Sequence, residues 1–201
     1  MVGNGMNLIF VLGPPGAGKS TLCKQLSETY GLAHISVGDL IRGHAKKGLA
    51  DIDLAGYIQQ SELLPTEVII AFVKSRLSDE AGRPNRPILL DGFPRNLEQA
   101  QKFEEVSEPP KLVLLFDCLE EIAKDGVLAR SSRHTDTAEG FDKRYKEYDA
   151  LNPPIVARYR SQNKLMTFDT SSWSGSLYQA LDEELHASSE WLKMLASRPH
   201  W

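Results

Sequence analysis

Five short apolar runs, each followed by a longer stretch of mixed polarity, constrain this chain's fold more than any other feature. They are NLIFVL (7–12), AHIS (33–36), PILLD (87–91), KLVLLFD (111–117) and LMTFD (165–169). All are too short for buried helices, and several are flanked by polar or turn residues, so they read as buried strands. Between them the pattern predicts helices at about 19–30, 38–47, 52–61, 66–80, 96–105, 119–130, 138–150, 153–163 and 175–196. Strand–helix alternation implies an α/β fold, with a five-stranded parallel sheet covered by helices on both faces. Ligands on such sheets bind beyond the carboxyl ends of the strands.

Two regions depart from the alternation. Residues 37–80 hold three helical segments with no convincing strand between them, and residues 130–140 (RSSRHTDTAEG) are polar, with almost no apolar anchor. A helical insert over about 37–66 and a short mobile lid over about 130–140 account for both. SEPP (107–110) and NPP (152–154) read as loop or helix-start punctuation.

The chain has 201 residues, enough for one domain with a real core. Its net charge of −4 gives a nucleic acid or an anionic membrane no global attraction, so neither is expected as a partner. Any anionic ligand needs positive charge concentrated locally. Cys23 and Cys118 lie far apart, in no metal-like spacing, and read as small core residues of a reducing compartment. LIFVL is too short for a signal peptide, no run approaches a membrane span, and the start Met-Val-Gly lacks the myristoylation pattern. A cytoplasmic protein is expected.

GPPGAGKS, Gly13 to Ser20, matches G-x-x-x-x-G-K-[ST] and lies between an expected strand and an expected helix, the context that gives the pattern meaning. Glycines let the backbone curl until its N–H groups converge on phosphate oxygens, and the helix N-terminus adds partial positive charge. Lys19 is placed for the terminal phosphates and Ser20 for Mg²⁺. A plain Gly/Pro turn with a surface lysine is the bland alternative. A switch GTPase would carry Asn-Lys-x-Asp; the nearest match, NKLM at 163–166, has methionine where the aspartate must stand.

GPPGAGKSTLCKQL, HISVGDLIR, DGFPRNLEQ and the trio Arg130, Arg133 and Arg144 occur in the order and spacing of the nucleoside monophosphate kinases. The chain resembles the adenylate kinase and UMP-CMP kinase family over about residues 7–185, with UMP-CMP kinases the nearer match. The resemblance implies a P-loop core with a nucleoside monophosphate (NMP)-binding insert and a lid, and phosphoryl transfer from MgATP to an NMP by a monomer. It places ATP on Gly13, Pro15, Gly16, Ala17, Gly18, Lys19, Ser20 and Thr21, and the acceptor on Ser36, Val37, Arg42, Gly92, Arg95, Asn96 and Gln99. Mg²⁺ would be held by Ser20 and, through water, Asp91. Lys19, Arg95, Arg130, Arg133 and Arg144 would be catalytic. The chemistry agrees, because phosphoryl transfer is mostly positioning and charge stabilisation, and the arginine fork grips phosphate bidentately.

Each assignment has a plainer alternative. Arg42 and Arg144 could be charged-face helix residues, Arg95 a structural ion-pair partner, Arg130 a solvated helix residue, Asp91 a turn or cap residue and Asn96 a helix N-cap. The resemblance implies a pyrimidine acceptor through Val37, a small apolar residue where adenylate kinases often have threonine, and through Asn96, whose amide offers a donor and an acceptor to either base edge; Gln99, at the spacing where adenylate kinases bind adenine, implies AMP instead. The chain departs from the family in a shorter Arg130–Arg133 spacing, in Thr135 and Asp136 where two aspartates are usual, and in Gly126 where an arginine often stacks on the donor base. The shortened lid and Gly126 support a second class, a nucleotide-binding regulatory protein that kept the fold and lost the chemistry. His34 reads as a packed or hydrogen-bonded histidine and His134 as a loop histidine. Trp191, Leu192 and Leu195 are expected to pack on the domain.

Overall fold

A computed structural model describes residues 6–48, 52–80, 82–83, 85–130, 135–171 and 177–197. The chain runs β1 (Leu8–Leu12), α1 (Lys19–Tyr30), β2 (Ala33–Ser36), α2 (Val37–Lys47), α3 (Leu54–Gln60), α4 (Thr66–Ser78) and β3 (Ile88–Asp91). It continues through α5 (Leu97–Val106), β4 (Leu112–Asp117), α6 (Glu120–Arg130), α7 (Ala138–Ser161), β5 (Leu165–Asp169), α8 (Leu177–His186) and α9 (Ser189–Ala196). All five strands pair in parallel, in the order β2-β3-β1-β4-β5.

β1 is central and wholly buried, which its unbroken apolar run dictates. Its side chains alternate between the two faces of the sheet. Leu8, Phe10 and Leu12 enter one core, with α4, α5 and α7, while Ile9 and Val11 enter the other, with α1, α6, α8 and α9. Phe10 is the hub of an edge-to-face aromatic group, with ring centroids 5.5 Å from Phe93, 5.7 Å from Phe103 and 5.9 Å from Tyr159. Phe93 belongs to the turn after β3. Gly92 N donates to Val11 O at 3.0 Å, and Phe93 bridges to Val11, so this turn is fastened to the end of β1. The Phe93–Pro94 peptide is cis.

Two helix boundaries differ from the sequence expectation. The helices expected at 138–150 and 153–163 are one, because α7 runs straight through Pro153 and Pro154. Each proline forfeits a backbone hydrogen bond. Phe141 on one side and Ile155 and Tyr159 on the other are fully buried, so packing outweighs the lost bonds. The helix expected at 175–196 is two, divided where Ser188 Oγ accepts from Trp191 N at 3.4 Å and caps α9. Trp191 is fully buried and Leu195 packs on the core, but Leu192 is 45% exposed and faces solvent. Both cysteines are buried and unpaired. Among the described residues no helix is long and apolar enough to cross a membrane.

Candidate active site

The glycine-rich loop leaves the carboxyl end of β1 and closes on the start of α1. Gly13, Gly16 and Gly18 have φ of +140°, +92° and +73°. At Gly16 a side chain is excluded outright, because a Cβ would lie 1.9 Å from the Ala123 carbonyl oxygen of α6. Lys19 folds over the loop, and its Nζ donates to Gly13 O at 2.8 Å and Pro14 O at 2.6 Å. Burial lowers the Lys19 pKa to about 8, against the opposing pull of the Asp91 charge.

Asp91 ends β3 beside the loop and is 3% exposed. Its Oδ2 accepts from Ser20 Oγ at 2.5 Å and lies 3.2 Å from His34 Nε2. Burial alone would push the Asp91 carboxyl up. The His34 and Ser20 hydrogen bonds and the Lys19 charge outweigh it and hold the pKa below the ordinary value. The side-chain hydroxyl and the carboxylate are hard oxygen donors, the type Mg²⁺ takes.

A cleft of about 830 Å³ opens over this loop. Gly13, Pro15, Gly16, Gly18, Lys19, Ser20 and Thr21 line it, whereas Ala17 turns into the core, 1% exposed. Ser36, the N-cap of α2, also lines it. A second cavity of about 460 Å³ lies under the α2–α3 region, with Val37, Tyr57, Ile58, Leu64 and Gln99 among its walls. Gly38, Arg42, Gly92, Arg95 and Arg144 line both. Three guanidinium groups therefore stand where the cavities meet.

Each described arginine of the site rests on protein oxygens. Arg42 Nη2 donates to Asp39 Oδ1 at 2.6 Å, and Arg95 Nε donates to Gly92 O at 3.3 Å. Arg130 holds Asp136 with two bonds, of 3.0 and 2.6 Å. Arg144 donates to Gly140 O at 2.9 Å and Thr135 O at 3.0 Å, and its Nη2 lies 3.4 Å from Asp136 Oδ1. Arg133 and His134, with most of the first half of the expected lid, lie outside the described residues.

Asn96 stands apart from the group. It lines neither cavity and caps α5, its Oδ1 accepting from Gln99 N at 2.8 Å. Gln99 completes the exchange, its Oε1 accepting from Arg95 N at 2.9 Å. This is a variant of the reciprocal capping box, and it fixes the backbone that presents Arg95.

Sequence reasoning missed Glu147, Tyr148 and Asn152, which line the larger cleft from the same side of α7 as Arg144. Their spacing from Arg144 follows the helical repeat and was a usable signal. Asn152 Nδ2 donates to Tyr148 Oη at 3.0 Å. Burial raises the Glu147 pKa, against the charge of Arg95. The role of Asp136 was also missed, although the resemblance marked its position as one where the family carries an aspartate; among the described residues it meets Arg130 and Arg144.

A phosphate-type loop facing a junction of arginines defines a P-loop nucleotide-binding protein. A model of the adenylate kinase family matches residues 11–164. Adenylate kinase 1 of Schistosoma mansoni is 35% identical over 182 residues, covering 89% of this chain and 92% of the relative. The uridylate kinase of Saccharomyces cerevisiae is 33% identical, covering 80% of this chain and 81% of the relative. UMP-CMP kinase 3 of Arabidopsis thaliana is 37% identical, covering 79% of this chain and 78% of the relative. The chain belongs to the adenylate kinase family.

Proposed function

We propose that the protein transfers the terminal phosphoryl group of ATP to a nucleoside monophosphate, with UMP and CMP as preferred acceptors, giving the diphosphate and ADP. The observation that carries this reading is the placement of Arg42, Arg95 and Arg144 on both cavities at once. Two nucleotides bound with their phosphates facing each other would meet there. The larger cleft suits the donor, because the glycine-rich loop forms its floor. The smaller, more apolar cavity suits an acceptor base.

In this mechanism the loop from Gly13 to Thr21 cradles the donor phosphates with backbone N–H groups, and Lys19 leaves its carbonyl partners for a phosphate oxygen. Arg42 and Arg95 orient the acceptor phosphate. Arg130, Arg133 and Arg144 compensate the charge that develops on the transferring group. Ser20 and Asp91 would hold Mg²⁺, Asp91 through water. The ion would neutralise charge on the donor phosphates. The unpaired, buried cysteines agree with a reducing compartment such as the cytoplasm.

Val37, on the wall of the smaller cavity, supports a pyrimidine acceptor, as do relatives named uridylate kinase and UMP-CMP kinase. Gln99 lines the same cavity and favours the AMP reading. An ADP-release screen across AMP, CMP, UMP, dCMP and GMP separates the cases. Fastest turnover with UMP or CMP is expected. AMP turned over far faster would make the protein an adenylate kinase. ADP release independent of any monophosphate, or none at all, would favour a regulatory nucleotide-binding protein.

A further inference from the structure

Behind the glycine-rich loop, Cys23, His34 and Asp91 converge from three elements. Their candidate ligand atoms, a thiol sulfur, an imidazole nitrogen and a carboxylate oxygen, all lie within 4.8 Å of one another. The fold explains why. In the parallel register His34 pairs with Leu89 and Ser36 with Asp91, so His34 and Asp91 lie two residues apart on the same face of the sheet. That face is covered by α1, and Cys23 sits on its buried stripe with Leu22 and Leu26. His34 lies 11 positions after Cys23, and Asp91 lies 57 after His34, so no compact ligand spacing is visible in the chain.

We propose that Cys23, His34 and Asp91 form a binding site for a thiophilic divalent cation of the zinc type, and that its occupancy inhibits the enzyme. The donor set is one sulfur, one nitrogen and one oxygen, which suits Zn²⁺ and is foreign to Mg²⁺. The His34–Asp91 separation of 3.2 Å is already close to the ligand–ligand spacing of a tetrahedral site. Drawing in Cys23 needs shifts of about an ångström, given Zn–S near 2.3 Å and Zn–N near 2.0 Å. Water would supply the fourth ligand. His34 lies on the edge strand with its side chain 19% exposed, which gives the ion a way in from the sheet edge.

Inhibition follows from a shared atom. Asp91 Oδ2 is the oxygen bonded to Ser20 and to His34. A cation held from the His34 side takes that oxygen away from Ser20 and from the proposed Mg²⁺ position. The binding half of the proposal stands on these three residues alone; the inhibitory half also rests on the kinase reading.

The test uses the full chain, without affinity tag or nucleotide, titrated with Co²⁺ as a spectroscopic stand-in for Zn²⁺. Wild type should develop thiolate-to-cobalt charge-transfer absorption and tetrahedral visible bands that Zn²⁺ abolishes. Cys23→Ala should lose the charge-transfer absorption, and Cys118→Ala should keep it. Cys23→Ser, which conserves volume, guards against a packing defect in the alanine variant. In the kinase assay at saturating Mg²⁺, Zn²⁺ should inhibit wild type at least about tenfold more strongly than either Cys23 variant, a difference of about 1.4 kcal/mol in binding. Absence of the cobalt signal in folded wild type, or its persistence in both Cys23 variants, would overturn the site. A Cys23-dependent cobalt signal with equal Zn²⁺ inhibition in all forms would overturn the inhibitory role and leave the site standing. A protein that binds cobalt as described but shows no turnover would fail the kinase reading instead.

Discussion

Arg130 grips Asp136 through two hydrogen bonds of 3.0 and 2.6 Å, and the Asp136 side chain that receives them is fully shielded from solvent. Arg144 approaches the same carboxylate at 3.4 Å. Among the described residues, this one acid thus faces two cations beside the larger cleft.

Removing that acid should cost stability as well as activity. Asp136→Ala leaves two guanidinium groups close together with less compensation. Arg130 is over a third exposed, so the expected loss is about 2 kcal/mol rather than the 3–5 of a fully buried pair. Urea denaturation reads the loss, and kcat should fall at least about tenfold as the arginines lose their placement. A variant with wild-type midpoint and kcat would remove Asp136 from this role.

Lys19→Met should abolish turnover while leaving the fold intact, as circular dichroism and a coupled ADP assay would show. The lysine also predicts a pH dependence. Its folded pKa is lowered from 10.5 to about 8, so between those values the unfolded chain binds more protons. The stability of the unliganded protein should therefore gain a contribution as pH rises through that window. ATP affinity should move the other way and weaken above about pH 8, as the charged form is depleted. In Lys19→Met this part of the pH dependence should vanish, and calorimetric titration of both forms from pH 7 to pH 9 checks it.

Two glycine replacements should differ sharply. Gly16→Ala places a Cβ against the Ala123 carbonyl as well as in a positive-φ conformation, so the loop or α6 must move. A loss above about 2 kcal/mol and severe loss of ATP binding are expected. Gly18→Ala meets nothing within 4 Å and bears only the left-handed backbone cost, about 1 kcal/mol. Equal melting temperatures for the two variants would contradict this ordering.

Asn96→Ala should destabilise the protein by about 1 kcal/mol through loss of the α5 cap. Asn96→Ser keeps a capping oxygen but has no amide. If Asn96 also reads the acceptor base, both variants should raise KM for UMP and CMP about tenfold, one hydrogen bond's worth. A KM that changes only in the alanine variant, in step with its stability, assigns Asn96 to capping alone.

All five strands and the glycine-rich loop were legible in the sequence because both depend on short-range rules: unbroken apolar runs and glycines at fixed spacing. Helix ends were less legible. Pro153 and Pro154 argue locally for a break, and only burial of Ile155 and Tyr159 against distant elements overrides them. The Ser188 cap was visible in principle but sits inside an unbroken helical pattern. In the site, the family motifs pointed to Arg42, Arg95 and Arg144, which the fold does bring together. Asn96 could be read either as a cap or as a base contact, and its neighbours in space were needed to show the cap. The contacts of Asp136 with Arg130 and Arg144, six and eight positions away, follow no helical repeat, and the grouping of Cys23 with His34 and Asp91 arises from strand register and helix packing, which leave no periodic trace.

The fastening of the Gly92–Phe93 turn to β1 bears on the reaction's energetics. The same strand launches the glycine-rich loop, and the same turn presents Arg95, so a rigid strut of one backbone hydrogen bond and one aromatic contact spans the two. Their separation is set during folding, when hydrophobic burial supports the ordering. Little reorganisation is then left for the moment of phosphoryl transfer, and on this account the strut is a source of preorganisation. Rate is stored in the core at Phe10, and Phe93 carries that rigidity from the core to the wall of the smaller cavity.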